Sequence, residues 1–366
     1  MKKNILVVDD SALMRRVECD IINSDNNFQV TDVCRDGIEA YEKIKANSYD
    51  GVILDVNMPK MDGLQLLKKL QQEKIKANVI MVSTLTTENA ETTIMALELG
   101  ALDFVAKPTN IIEAKGEAFK NKLLSVLTAV IRTRNIARTP VSSRVTTRTS
   151  SVSAESPMTA PKQVGTVKRL KASGNNKLIA LACSTGGPKA LQSVIPFLPK
   201  NIDAPMVLVQ HMPAGFTKSM ADRLNETSAI TVKEAENGDV LKKGTVYVAP
   251  GGKHMEVKKT TEGHVISLND MPAIGGLRPC ANITYDSLKT SGYDQVVCVV
   301  LTGMGADGTN GILSLEKSKP VYVISQNAET CVVYGMPKAI AETGIVNEVV
   351  PLDQVATSIT KNVGVQ

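Results

Sequence analysis

The chain has 366 residues, 43% hydrophobic, 22% charged and 3% aromatic, with no tryptophan. That composition can bury a core, which excludes a wholly disordered protein, and the scarcity of aromatic rings excludes a stacking platform for single-stranded nucleic acid. The formal charge of +5 is local: residues 133–176 hold eight basic side chains and one acidic, a net +7, leaving −2 (+5 less +7) for the rest.

At ~150 residues per domain the length predicts two or three domains. No apolar run approaches the ~18 residues of a membrane span. The opening stretch is too poor in apolar residues for a secretory signal, so the expectation is a cytoplasmic protein without membrane insertion. The six cysteines form no C-x-x-C pair and read as small buried hydrophobes in a reducing compartment.

Five short apolar runs, at residues 5–8, 29–33, 51–54, 79–82 and 104–106, read as strands. Between them, 12–22, 38–45, 64–70 and 89–99 carry helical spacing, and a long amphipathic run covers 111–131. Five βα units in so short a span predict a doubly wound, flavodoxin-like parallel sheet of order 2-1-3-4-5 over residues 1–132. In such a sheet the carboxyl ends of all strands share one edge. Asp9 and Asp10 end the first strand, Asp55 the third, and Lys107 follows the fifth. Three carboxylates and an ammonium therefore converge. Like charges this close need a counter-ion, and a hard oxygen set suits Mg²⁺ with positions left for phosphate. Asp9 and Asp10 can hold the metal together, which leaves Asp55 as the best phosphoryl acceptor. Asp62, in Met61-Asp62-Gly63, reads as a helix cap.

The segments Val8-Asp9-Asp10-Ser11, Asp55 through Gly63, Ser83 and Lys107-Pro108 resemble a response-regulator receiver. The resemblance implies phosphorylation of Asp55 by a histidine kinase, Mg²⁺ held by Asp9, Asp10, Asp55 and the Asn57 carbonyl, and a switch through Ser83 and Phe104.

Residues 133–176 contain 14 Ser or Thr, three Pro and no aromatic residue. This composition cannot offset chain entropy by burial and predicts a flexible basic linker. Beyond it, 178–183, 206–210, 246–249, 296–301 and 321–324 read as strands, 190–198, 311–316 and 331–342 as helices, and 255–268 as a hairpin. Residues 177–366 thus form a second, Rossmann-like α/β domain.

Ser184 follows the first of these strands in Ser184-Thr185-Gly186-Gly187. His211 follows the second, and Asp307 follows the strand ending at 301. A hydroxyl, an imidazole and a carboxylate beyond strand ends have the logic of nucleophile, base and orienting group. Thr185 is a neighbour of the nucleophile, and the Met304 N–H is a candidate oxyanion donor. Cys183 is a rival nucleophile, but its place inside a strand reads as packing. His254 and His264 read as structural, His254 being the nearer to a site. Gly303-Met304-Gly305-Ala306-Asp307-Gly308 matches G-x-G-x-x-G, yet Asp307 would stand where a pyrophosphate must sit.

Together with Gln210-His211-Met212-Pro213, the stretch from Ala249 to Met255, and Thr302 through Gly308, these motifs resemble the chemotaxis protein-glutamate methylesterase family in both halves. Cys183 stands where that family usually has Ala or Gly, and Arg278-Pro279-Cys280-Ala281-Asn282 replaces a more usual R-P-S-x-D. The resemblance implies hydrolysis of glutamate γ-methyl esters on chemoreceptors, deamidation of receptor glutamines, no cofactor for the esterase, and a receiver that covers the esterase site until phosphorylated. A serine hydrolase for another ester and a non-catalytic receptor or kinase adaptor are the competing classes. With the folded parts at −2, no nucleic-acid partner is expected.

Overall fold

The computed structural model describes residues 2–84, 86–108, 110–136 and 174–366. The first unit runs β1 (Lys3–Val8), α1 (Ala12–Ser24), β2 (Phe28–Cys34), α2 (Gly37–Ala46), β3 (Gly51–Asp55), α3 (Gly63–Gln72), β4 (Val79–Ser83), α4 (Thr87–Glu98), β5 (Asp103–Ala106), α5 (Ile111–Ala114) and α6 (Glu117–Ile136). All five strands are parallel in the order β2-β1-β3-β4-β5, as the alternation predicts. Side chains alternate across the sheet. Leu6, Val8, Leu54 and Met81 pack with α2, α3 and α4 on one face. Ile5, Val7, Ile53 and Ile80 pack with α1 and α6 on the other.

Asp62 caps α3 as its sequence suggests. Its carboxylate accepts from Gln65 N at 2.7 Å, and Gln65 Oε1 accepts from Asp62 N at 3.0 Å, a reciprocal capping box. The run expected over 111–131 is broken between α5 and α6, where Gly116 falls; glycine costs about 1 kcal/mol in a helix interior. Helix α6 continues to Ile136, and the remainder of the expected linker, 137–173, lies outside the described residues.

The second unit contains β6 (Lys177–Cys183), α7 (Gly187–Gln192), β7 (Met206–Gln210), α8 (Phe216–Thr227), β8 (Thr231–Glu234), β9 (Thr245–Val248), β10 (His254–Thr260), β11 (Gly263–Asn269), α9 (Ala281–Ser287), β12 (Gln295–Val300), α10 (Thr309–Glu316), β13 (Val321–Gln326), α11 (Met336–Ala341), β14 (Glu348–Val350) and α12 (Val355–Val363). Seven strands form one parallel sheet, β14-β13-β12-β6-β7-β9-β8, and β10–β11 is an antiparallel hairpin. Two expected helices are shorter. The one over 190–198 is α7 followed by a 3-10 turn at Ile195–Phe197. The one over 331–342 begins only at Met336, because Val333 N donates to Thr302 Oγ1 and Val333 O accepts from Gly303 N. Those bonds hold 331–335 in a bent, non-helical turn against the β12 loop.

The two units pack through α4 and α8. Ile94, Leu97 and Phe104 of the first share an apolar cluster with Phe216, Met220 and Leu224 of the second. The rings of Phe104 and Phe216 stack at 4.6 Å between centroids and 13° between planes. Arg223 on α8 grips Glu98, the last residue of α4, with two bonds of 2.7 and 3.0 Å.

Candidate functional site

The carboxyl edge of the first sheet gathers the expected acidic cluster. Ligand oxygens of Asp9, Asp10 and Asp55 all lie within 4.8 Å of one another. Asp9 and Asp55 are buried and Asp10 is exposed. Lys107 Nζ sits 2.7 Å from Asp9 Oδ2 and 2.6 Å from Asp55 Oδ2. Burial pushes the Asp55 carboxyl up to about 6 against the pull of Lys107. Burial alone would push the Lys107 ammonium down, but the two carboxylates outweigh it and hold it above its ordinary value. Gly63 lets α3 begin against Asp55, since a Cβ there would lie 2.3 Å from the Asp55 carbonyl oxygen. An all-oxygen set with one face open fits a Mg²⁺ ion.

Ser83 and Asn57 lead from this cluster to α4. Ser83 Oγ accepts from Thr93 Oγ1 at 2.9 Å, and Asn57 Nδ2 donates to Asn89 Oδ1 at 2.8 Å. The first half of α4 is therefore bonded to the acidic cluster's surroundings and its last residue to α8. Sequence reading missed Thr93, Asn89 and Arg223. It also missed Glu18, which is wholly buried within α1 and has neither carboxylate oxygen hydrogen-bonded among the described residues. Burial, and then Asp9, push its carboxyl well above the ordinary value. The signal was present: Glu18 falls four residues after Met14 and three before Ile21, on the apolar stripe of its helix.

At the carboxyl edge of the second sheet the structure brings Ser184, His211 and Asp307 together. His211 Nε2 lies 2.8 Å from Asp307 Oδ2, so Nδ1 is the ring nitrogen left for another partner. No hydrogen bond joins Ser184 Oγ to His211 among the described residues, and such bonds are often long before substrate binds. Asp307 also accepts from the backbone N–H groups of Ala281 (2.6 Å), Asn282 (3.1 Å) and Gly308 (2.9 Å), and from the Cys280 thiol (3.2 Å). Burial alone would push its carboxyl up; the bonds to His211 and to these donors outweigh burial and hold it at about 2. It is thus an anion that can carry an imidazolium beside it.

Gly303 lies against Ser184: a Cβ there would come within 2.9 Å of Ser184 Cβ and 3.1 Å of Ser184 N. That brings the Gly303–Met304 turn, whose Met304 N–H is the expected oxyanion donor, beside Ser184. Thr185 is buried, and it lines the same cavity as Asp103 of the first unit. Cys183 is fully buried, and burial pushes its thiol far up. His254 is buried at the hairpin base, with Nε2 3.2 Å from Pro272 O, and His264 stacks on Tyr293; neither reaches the site.

Ser184, Thr185 and His211 open into a cavity of about 590 Å³. Its opposite wall comes from the first unit and includes Phe104 and Lys107. The two carboxyl edges therefore meet at one space, with the acidic cluster's lysine on one side and the hydroxyl on the other. Among the described residues no helix is long and apolar enough to cross a membrane.

A carboxylate cluster of receiver type, joined to an α/β unit with a serine, a histidine and an aspartate at one edge, defines a response regulator with a hydrolase output. Residues 5–116 match the response regulator receiver domain family, and residues 179–359 match the CheB methylesterase family. The chain is similar to a protein-glutamate methylesterase/protein-glutamine glutaminase of Symbiobacterium thermophilum, 41% identical across 98% of this chain and 97% of that one. It is equally similar to the like-named protein of Pyrococcus abyssi, 41% identical across 99% of this chain and 94% of that one. Its second unit is similar to the Thermotoga maritima CheB methylesterase catalytic domain, with 42% identity, a TM-score of 0.49, and coverage of 51% of this chain and 98% of that one. The chain belongs to the CheB methylesterase family, the protein-glutamate methylesterases, and is a carboxylic ester hydrolase of that kind.

Proposed function

We propose that the protein hydrolyses glutamate γ-methyl esters on cytoplasmic segments of chemoreceptors, and deamidates receptor glutamines, under control of Asp55 phosphorylation by a chemotaxis histidine kinase. The observation that carries this reading is the shared cavity, walled by the Lys107 end of the receiver and by Ser184 and His211.

In this reading Ser184 Oγ attacks the ester carbonyl as His211 takes its proton. Asp307, already bonded to Nε2, fixes the tautomer and stabilises the imidazolium. The Met304 N–H donates to the developing oxyanion beside Thr185. His211 returns the proton to the departing methanol, and water then cleaves the acyl-enzyme by the same route. An amide side chain passes through the same tetrahedral intermediate and releases ammonia.

Asp9, Asp10, Asp55 and the Asn57 carbonyl would hold Mg²⁺, which neutralises phosphate charge when bound. Lys107 pairs with the acceptor, and Ser83 turns toward the new phosphoryl group. That turn takes Ser83 from Thr93, and α4 loosens its hold on α8. The receiver then uncovers the cavity.

The test is methanol release from methyl-esterified receptor membranes, with and without a small phosphodonor plus Mg²⁺. Release should rise with phosphodonor, lose that rise in Asp55→Ala and vanish in Ser184→Ala. No release from folded protein in any condition would leave the adaptor class in front.

A further inference from the structure

Gln210 ends β7 and is 2% exposed. A buried amide is costly unless its polar atoms are bonded, and the three partners of this one adjoin the nucleophile and the base. Its Nε2 donates to the Ser184 carbonyl at 3.0 Å and to the His211 carbonyl at 3.3 Å. Its Oε1 accepts from the Cys183 thiol at 3.0 Å.

The position matters because the sheet stops holding these residues here. Cys183 opposite Gln210 is the last matched pair of β6 and β7. Beyond it the backbone contributes one bond, His211 N to Cys183 O at 3.2 Å. Ser184 and His211 have left the ladder, and their relative placement depends on whatever ties the two turns together. The Gln210 amide does so directly, bonding a carbonyl in each turn. Gly187 makes the room, since a Cβ there would come within 1.9 Å of Gln210 Oε1. The same Ser184 carbonyl also accepts from Gly187 N at 2.7 Å. The Cys183 thiol, unfit as a nucleophile, is a donor that orients the amide so that both its N–H groups face the two turns.

We propose that Gln210 is a positioning residue for ester hydrolysis, a buried amide that holds the Ser184 turn and the His211 turn in register. This rests on the reading of Ser184 as nucleophile and His211 as base. It makes no contact with substrate and acts through the geometry of the two groups that do. Misplacement of reacting groups by about 1 Å can cost about a hundredfold in rate.

Gln210→Met keeps the length of the side chain and removes both donors. Assayed in the full phosphodonor-activated chain on methyl-esterified receptor membranes, its kcat per folded molecule should fall about ten- to a hundredfold. KM and the extent of Asp55 phosphorylation should stay unchanged. A purely structural role would lower the unfolding temperature and leave kcat per folded molecule at the wild-type value, which would overturn the proposal. Should Gln210→Met not fold, Cys183→Ala takes its place: freeing the amide to rotate should lower kcat several-fold at unchanged KM, and wild-type kcat would overturn the proposal. Ser184→Ala separates the two levels of failure. If it retains wild-type turnover, the nucleophile reading falls and this inference with it. If it is inactive while Gln210→Met turns over normally, the inference alone falls.

Discussion

Removing the Glu98 carboxylate should switch the enzyme partly on without phosphorylation. The bond between Glu98 and Arg223 spans the two units and is bidentate, with distances of 2.7 and 3.0 Å. Arg223 also holds Glu226 on its own helix at 2.9 Å. Glu98→Ala therefore deletes the contact between units without stranding the guanidinium. The pair is partly exposed, 24% on Glu98 and 40% on Arg223, so solvent screening limits its worth. A bidentate charge-assisted pair at that exposure contributes about 1 kcal/mol. If docking limits access to Ser184, the basal rate follows the undocked fraction, and about 1 kcal/mol raises it about fivefold. The rate at saturating phosphodonor should not change, because in the proposed reading the activated receiver is already displaced. The assay is methanol release at low ionic strength, repeated with Arg223→Ala and with both changes together. Basal rates of the singles and the double should coincide, and salt should raise the wild-type basal rate while leaving the variants nearly flat. Multiplying effects in the double would show that the two residues act apart. An unchanged basal rate in all three would refute the claim that α4 and α8 hold the site shut.

Phe104→Ala should act in the same direction and further. It removes a ring stacked on Phe216, worth about 2–4 kcal/mol from burial and ring pairing together, so basal methanol release should rise more than tenfold while the gain from phosphodonor shrinks. Glu18→Met should stabilise the receiver against urea by about 1–3 kcal/mol, by removing an unbonded buried carboxyl. Because the folded carboxyl titrates above its unfolded value, the folded state binds the extra proton, and the handicap grows as pH rises above ~4.3; a gain that shrinks with rising pH would contradict this. Asp307 behaves oppositely. Its folded pKa of about 2 lies below the ~3.9 of an unfolded aspartate, so its contribution is complete above that value and is lost as pH falls toward 2. Acid titration of the unfolding transition should show about 2 kcal/mol more loss in the wild type than in Asp307→Asn.

The receiver was legible because β1, β3, β4 and β5 are buried on both faces over most of their length and so read as apolar runs, and because polar residues stand at or just past several strand ends. Asp55 closes Gly51–Asp55, and Ser83 closes Val79–Ser83. The second unit was less so. Helix α8 carries Phe216, Met220, Ala221 and Leu224 at helical spacing, yet mean polarity is high in its other positions, and the stretch did not stand out. Strand β14 has three residues at the sheet edge, too few for a period. Residues 331–335, a bent turn in the fold, mimic the start of a helix in pattern, and only their bonds to Thr302 and Gly303 decide otherwise. Of the site, the groups proposed to react were visible as polar residues after strands. Groups that hold them were not, because Gln210 and Thr93 act through backbone carbonyls and hydroxyls brought close only by folding. Gln210 did leave one trace, a lone amide ending the apolar strand Met206–Gln210.

The arrangement also argues that covering the site is more than steric. Thr185 is adjacent to Ser184, and both line the cavity into which Asp103 of the receiver also faces. Asp103 is the residue before Phe104, which stacks on Phe216 next to the loop that carries His211. One receiver strand, β5, thus places a carboxylate in the cavity beside Ser184 and a ring against α8, just past the His211 loop, and Lys107, just past its end, pairs with Asp55. A small ester that fits beneath the docked receiver would still meet the Asp103 carboxylate in the cavity beside Ser184 and Thr185. Hence Asp103→Ala should raise the basal rate on a small methyl ester at least as much, in proportion, as on receptor membranes. A purely steric cover predicts the reverse, with the large substrate gaining and the small one indifferent.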